Sequence, residues 1–202
     1  MSETSSKKRK LALPLIVAGG VSSLVLALGM SPTFSAFTAS ITNNANNASA
    51  GTLVMSETGN SKTCFSSDST ATCTTINKYG GLLNMKPGDF TTTNIVIANT
   101  GNVDAAGFSL TPLTCVPTGG GTGAGDLCGQ LTVAITQDGV SVGTPVTPKL
   151  LTATSFLFTT VKAKASTDIA ITVSFPSTGN NVTDNTFQGT QASQSLTWTF
   201  QS

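Results

Sequence analysis

Four cysteines are the residues of this chain whose chemistry is easiest to assign. Cys64 and Cys73 flank a Ser/Thr-rich stretch, and Cys115 and Cys128 flank a Gly-rich one. Four cysteines allow three disulfide connectivities, and we favour the local pairs Cys64–Cys73 and Cys115–Cys128 because each pair brackets one loop-like segment. In the loop-entropy description each bond restrains the unfolded chain by roughly 3 kcal/mol. Two disulfides are typical of an exported protein.

The absence of histidine excludes most catalytic and metal-binding arrangements. With no His in the chain, neither a Ser-His-Asp or Cys-His constellation nor an HExxH zinc site can form. The cysteine spacings, C-x8-C and C-x12-C, match no zinc pattern. A Ser-Lys dyad or a carboxylate pair stays formally open. The carboxylates, however, are scattered singly at turn positions such as Asp89, Asp104 and Asp138, where we expect them to cap the local backbone. We therefore predict no enzyme, no catalytic residue, no cofactor and no metal site.

The Gly-rich segment 118–125 lacks the Gly-Lys-Ser/Thr sequence of a phosphate-binding loop. Its glycines predict a surface loop without regular structure. Asp126 at its end, or Asp184 in a later polar connection, is a candidate weak Ca²⁺ ligand. One carboxylate among neutral oxygens is a poor ligand set for that ion.

Charge is sparse and is concentrated at the N-terminus. Charged residues make up 9% of the 202 residues, against about a quarter in an average soluble domain. From Phe37 onward there are six Lys, eight carboxylates and no Arg, which gives a net charge of 6 − 8 = −2. A faintly acidic chain without clustered cations excludes nucleic acid as a partner.

The first 36 residues have the organisation of a secretory signal. A basic cluster, KKRK (7–10), precedes an apolar run over 11–30, and small residues follow near Ala36. We predict a helical signal peptide over 1–36, cut by a signal peptidase between Ala36 and Phe37. The apolar run is also long enough to cross a bilayer, so a permanent anchor is the alternative. We expect membrane contact only through the uncleaved leader.

A short strand is predicted directly after the cleavage site. Its apolar residues (Phe37, Ala39 and Ile41) alternate with Thr38 and Ser40, which is the period of a strand. The Asn-rich tract that follows completes an N-terminal segment over 37–49 and reads as a flexible spacer. Such a strand can fold back on its own domain or pair with an open sheet edge of another subunit.

The body, residues 50–202, has an all-β composition. It contains few runs of strong helix formers, so long helices are not expected. Turns are predicted at KPGD (86–89) and at Gln137-Asp138-Gly139. The last strand places Leu196, Trp198 and Phe200 on its inward face. Seven to nine strands over this length predict a two-sheet, jelly-roll-like sandwich. The clearest strand candidates are 91–99, 130–136, 168–175 and 193–201.

Four motifs, in their order along the chain, resemble the TasA/camelysin family. They are the junction FSA-FTASITNNANNASAGTL (34–53), LNMKPGD with the apolar strand after it (83–97), the turn NTGNVDA (99–105) and the closing TFQGTQASQSLTWTF (186–200). Together they cover both ends and the middle of the mature chain. The four cysteines and the Gly-rich loop depart from the family pattern.

The resemblance implies an exported jelly-roll-like sandwich that assembles into an extracellular biofilm matrix or a cell-surface fibre. It implies cleavage after Ala36 by a signal peptidase of the SipW type. It also implies homopolymerisation, in which the strand Phe37, Thr38, Ala39, Ser40 and Ile41 is donated to the next subunit. Some relatives are described as metallopeptidases, and this activity has no visible basis in a chain without His.

Two functions follow from the sequence. The first is a secreted structural subunit of a fibre whose partner is a second copy of itself. The second is a secreted monomeric binding or adhesion module that recognises a glycan through its long polar loops. Only Tyr79 and Trp198 offer large amphipathic surfaces for stacking on a sugar. Because Trp198 belongs to the inward set of the last strand, the first function is favoured.

Overall fold

The computed structural model of the protein describes residues 48–82, 84–153 and 155–202. Within these ranges it contains eleven strands, all paired antiparallel, and three short helices. The strands are β1 (Met55–Gly59), β2 (Lys62–Phe65), β3 (Phe90–Asn99), β4 (Gly107–Pro112), β5 (Val116–Gly119), β6 (Thr132–Gln137), β7 (Val140–Ser141), β8 (Phe156–Leu157), β9 (Ser166–Ser174), β10 (Thr190–Ser193) and β11 (Leu196–Gln201). The helices are α1 (Leu127–Gln130), α2 (Pro148–Leu151) and α3 (Asn181–Asn185).

The larger sheet has six strands in the order β2-β1-β3-β9-β6-β7. Its centre is the pairing of β3 with β9, in which Ile95 lies opposite Ile169 and Thr93 opposite Ile171. Both strands alternate between buried and more exposed residues, because successive side chains of a strand point to opposite faces. The apolar alternation in the sequence therefore fixes which face of this sheet enters the core.

Two smaller sheets complete the fold, one of three strands (β11-β4-β8) and one of two (β10-β5). They are parts of one bent ribbon, since β4 leads into β5 and β10 leads into β11. Pro112 lies opposite Leu196, and Val116 lies opposite Ser193. Three residues separate β4 from β5, whereas two residues separate β10 from β11. The extra residue forms a bulge over 113–115.

One hydrophobic core joins the large sheet to the three-stranded sheet. Phe108 of β4 is its aromatic centre, with its ring centroid 4.8 Å from that of Phe158, 5.7 Å from Trp198 and 5.1 Å from Phe200. The aliphatic side is contributed by β3, β6 and β9. The architecture is all-β and sandwich-like, as the composition and periodicity predicted.

The two predicted turns are confirmed. Asp138 and Gly139 both have positive φ and join β6 to β7, which is the conformation of a two-residue hairpin. In KPGD, the amide of Asp89 donates to the carbonyl of Lys86 at 3.0 Å. The Gly88 amide also donates to the Phe175 carbonyl, which ties this turn to the end of β9.

One local prediction was wrong in detail. The Gly-rich segment begins as strand β5, because its backbone pairs with β10 and Gly119 ends it with a positive φ of 77°. The polar connection after β9 contains helix α3, whose N-cap Asn180 accepts from the amides of Val182 and Thr183. The apolar stretch 150–161 contributes the two-residue strand β8, and helix α2 ends in its first residues.

The predictions for the N-terminal region lie outside the described residues. These are the signal peptide 1–36, the cleavage between Ala36 and Phe37, and the strand 37–41. Residues 49–202 form one compact unit. Among the described residues, no helix has the length and apolar character needed to cross a membrane.

The core packing predicts a large effect of truncation at Ile171, which is 0% exposed at the centre of the large sheet. We expect Ile171→Ala to lower the free energy of unfolding by about 2–5 kcal/mol, because it leaves a cavity. Val140→Ala, at a residue that is 70% exposed, is the control and should change it by less than about 0.5 kcal/mol. Urea denaturation measures both, and equal losses would contradict this core assignment.

Candidate strand-binding groove

The disulfides have the local pairing predicted from the sequence. Cys64 of β2 is bonded to Cys73 in the loop that follows it. Cys115, in the bulge between β4 and β5, is bonded to Cys128 of α1. The first bond fixes a long loop to the edge of the large sheet, and the second fixes the bulge to a helix. Both are structural features typical of an oxidising environment.

The carboxylates are structural, but only some cap their own turn. Asp89 accepts locally from the amide of Lys86 at 3.0 Å. Asp104 instead accepts from the amide of Ala163 and from Lys162 Nζ. These bonds, the one to the Ala163 amide first, lower the pKa of the Asp104 carboxyl. Asp138 likewise bridges to β9, where it accepts from the amide of Asp168 at 2.8 Å. The expectation of purely local capping was therefore wrong for Asp104 and Asp138.

The two candidate Ca²⁺ ligands are also engaged within the protein. Asp126 caps α1 and accepts from Lys149 Nζ at 3.0 Å, and this bond lowers the pKa of its carboxyl. Asp184 accepts from the hydroxyl and the amide of Thr178 and from the hydroxyl of Ser177. The Thr178 hydroxyl is the main cause of its lowered pKa. Across the described ranges, no three His, Cys, Asp or Glu residues lie close enough together to hold a metal ion.

A groove of about 1180 Å³ has room for a ligand. One wall is formed by β10 and β11. The opposite wall is formed by the β1–β2 hairpin and parts of the loop over 71–85, and Leu131, Val173 and Phe175 also line the groove.

The β10–β11 wall is a continuous strand face that is only partly covered. From Thr190 to Trp198 every second residue is half-buried and the residues between are exposed. The half-buried set includes Ala192, Leu196 and Trp198, which pack against the core. In the central strand β9, by contrast, the inward residues from Thr167 to Val173 are all buried. The inward face of β10–β11 therefore lacks part of the cover that a sandwich normally gives.

Within the part of the chain that the structure describes, the backbone of this wall also has an open edge. β11 is the outer strand of its sheet. The Ser195 carbonyl accepts from the Leu113 amide across the ribbon at 2.8 Å. Because antiparallel pairing alternates along a strand, the amides and carbonyls of Leu196, Trp198 and Phe200 point away from β4. The same residues thus present inward apolar side chains and outward backbone hydrogen-bonding groups.

A buried ion pair lies on the opposite wall. Lys78 Nζ is 2.8 Å from Glu57 Oε1, and their side chains are 11% and 8% exposed. Glu57 lies in β1 opposite Ile97 and Cys64, so it occupies an inward position of the large sheet. The contact lacks the geometry of a good hydrogen bond. A charge pair in this interior position is stabilised mainly by its mutual attraction.

A side-chain bridge crosses the groove between its two walls. The hydroxyl of Tyr79 donates to Gln194 Oε1. The side-chain Nε2 of Gln194 donates in turn to the backbone carbonyls of Leu113 at 2.6 Å and Pro148 at 3.0 Å. Burial raises the pKa of the Tyr79 phenol well above its usual value near 10. Gln194 lies between β10 and β11, about midway along the wall.

Trp198 leaves one hydrogen-bonding group unused in the groove wall. Its Nε1 is buried and has no acceptor among the described residues. A buried indole N–H normally has a partner. The open strand edge, rather than this buried group, favours an extended polypeptide segment as the ligand of the groove.

Sequence reasoning identified only part of this groove. The period-2 pattern correctly placed Leu196, Trp198 and Phe200 inward, but Glu57, Lys78 and Gln194 were not recognised. The alternation across β10 and β11 is the signal that could have shown a single long wall. No local pattern joins Tyr79 to Gln194, which lies 115 residues away.

Comparisons of the chain with protein-family models and with curated proteins find no match.

The buried ion pair predicts an asymmetric response to mutation. Lys78→Met should destabilise the protein by about 3–5 kcal/mol, because it leaves the Glu57 carboxylate buried without a counter-charge. The double variant Glu57→Gln, Lys78→Met should recover most of that loss. Thermal and urea unfolding measure both. Lys162→Met removes an exposed ion pair with Asp104, in which the side chains are 73% and 52% exposed, and is the matched control with little expected change. A mild loss in Lys78→Met that the double variant does not repair would contradict the burial of this pair.

Proposed function

We propose that the protein is a structural subunit of an extracellular fibre and that its groove accepts the N-terminal strand of a second copy. The observation that carries this proposal is the β10–β11 wall, with its half-covered apolar face and a backbone edge that has no partner among the described residues. An added strand would satisfy both at once, because main-chain bonds complete the ladder while alternate side chains enter the groove.

The occupant of the groove is the segment Phe37, Thr38, Ala39, Ser40 and Ile41 of a neighbouring subunit. Its strict alternation matches a site that is apolar on one face only. Burial of Phe37 and Ile41 would contribute roughly 3–6 kcal/mol before the cost of ordering the strand. The main-chain bonds to Leu196, Trp198 and Phe200 would have to supply much of the remaining affinity.

The composition of the β10–β11 edge supports the same proposal. From Thr190 to Gln201 it has no charged residue and no Pro, although natural proteins usually protect a sheet edge with such residues. Two other outer strands, β7 and β8, have only two residues each. A long edge without charge is expected where another chain is meant to pair.

The finer features of this proposal concern export. We propose that residues 1–36 are a signal peptide removed between Ala36 and Phe37, and that the mature protein is secreted to the matrix or cell surface. Cleavage would free the strand from its tether, so processing would precede assembly. We also propose that the sandwich is jelly-roll-like, in keeping with the resemblance to the TasA/camelysin family. The two disulfides support folding in an oxidising compartment.

The strand assignment predicts that assembly depends on residues 37–47. Mature protein that begins at Phe37 should form fibres visible by electron microscopy and sediment as a polymer. Protein that begins at residue 48 should remain monomeric, because the donor is missing. N-terminal sequencing of secreted material should find Phe37 as the first residue.

Matched variants test whether assembly needs the apolar side chains of the donor strand and not only the presence of the strand. Phe37→Ser with Ile41→Ser should abolish assembly, because both apolar contributions are lost. Thr38→Ser with Ser40→Thr changes the opposite face of the strand and should leave assembly intact. If mature protein stays monomeric at high concentration with residues 37–47 present, the proposal fails. A monomer whose own strand fills the groove would then favour the alternative of a secreted binding module.

A further inference from the structure

We propose that residues 77–82 form a strap over the groove, which Tyr79 latches to Gln194 and which an incoming strand must open. The strap is held to both walls. Lys78 joins it to Glu57 of β1, and Tyr79 joins it to the junction of β10 and β11. This inference rests on the proposed strand-accepting role of the groove and concerns its regulation.

The latch is preorganised on both sides. The side chain of the acceptor Gln194 is fixed because its Nε2 already donates to the backbone carbonyls of Leu113 and Pro148. On the strap, Asn77 Oδ1 accepts from the Tyr79 amide at 3.0 Å. The Asn77 carbonyl accepts from the Gly80 amide at 3.1 Å. A short turn thus holds the Tyr79 side chain toward the opposite wall.

Glycines give the strap a conformation that other residues would strain. Gly80 and Gly81 have φ values of 79° and 68°, which is the left-handed region favoured by glycine. A Cβ on Gly80 would lie 2.7 Å from Thr91 Oγ1. The strap therefore leaves Tyr79 through a tight glycine turn, which is the natural pivot for its movement.

The position of the latch decides its effect on strand binding. A strand that pairs along the whole β10–β11 edge must pass Gln194, because this residue lies between the two strands. The Tyr79 hydroxyl is bonded to the side chain of this residue. A closed latch therefore limits pairing to one half of the edge, and opening it makes the full edge available.

The chain supplies two unambiguous optical probes of this movement. Tyr79 is its single Tyr and Trp198 its single Trp, and both line the groove. While the latch is closed, the raised pKa keeps the phenol neutral above pH 10. Once the phenol reaches solvent, it should ionise near its ordinary pKa of about 10. Absorbance titration of the phenolate follows Tyr79, and acrylamide quenching of fluorescence follows Trp198.

The test compares the mature protein with Tyr79→Phe, which keeps the ring and removes the latch hydroxyl. Tyr79→Phe should increase the quenching of Trp198 and should speed fibre growth roughly 2- to 10-fold, the factor that corresponds to one hydrogen bond. In the parent protein the Tyr79 phenol should ionise at lower pH in fibres than in monomers. Val140→Ala changes an exposed residue of β7 that does not line the groove, and it should match the parent in each assay.

The outcomes distinguish this inference from the proposed function. Unchanged quenching of Trp198 in Tyr79→Phe overturns the latch, whether or not fibres form. Equal growth rates with an unchanged phenol titration on assembly overturn it as well, while the fibre function stands. If the quenching of Trp198 increases in Tyr79→Phe but neither the parent nor any variant assembles, the fibre function is overturned. The strap then remains as the closure of the groove.

Discussion

The mismatch between a six-stranded sheet and the smaller sheets that face it is the constraint on which the rest of the structure depends. Each sheet must cover one apolar face against the other. The three-stranded sheet covers the central strands β3, β6 and β9, where burial is nearly complete. Among the described residues the covering sheet has three strands and ends at β11, while the large sheet has six and continues through β1 and β2. The groove is the physical consequence of this difference in width.

Polar contacts occupy the space that a further strand would fill. Glu57 takes an inward position of β1 that is apolar in the neighbouring strand, where Ile97 lies opposite it. Its counter-charge comes from Lys78 rather than from the facing sheet. Tyr79 then reaches Gln194 on the other wall. Buried polar groups are stable only when they are paired. The loop that carries Lys78 and Tyr79 is therefore required for the large sheet to keep a carboxylate at this position.

The sequence was sufficient for the regular parts of the fold and insufficient for the groove. Strands such as β3 and β9 were predictable because their apolar residues repeat every second position. The disulfide pairs were also predictable, since each closes a short loop. The bulge at 113–115 was not, because it depends on the register between β4–β5 and β10–β11. The pairs Glu57–Lys78 and Tyr79–Gln194 depend on tertiary contacts that no local pattern encodes. The proposed donor lies outside the described residues, so its alternation stays a prediction.

An edge without charge or Pro is a liability unless something controls access to it. The β10–β11 edge lacks both kinds of protection from Thr190 to Gln201, and it is long enough to template pairing with unrelated strands. One outer strand of the large sheet, β2, is shorter and carries Lys62. Protection of β10–β11 must then come from neighbouring structure, and the strap is the element in contact with it. A removable cover can exclude chance partners and still admit a strand that gains enough from apolar burial and main-chain bonds to displace one tyrosine hydroxyl. Fixed charges on the edge would exclude both kinds of partner alike. In the proposed fibre subunit, the conflict between solubility and assembly would explain why the latch lies in a side chain of the facing loop and not in the edge strand itself.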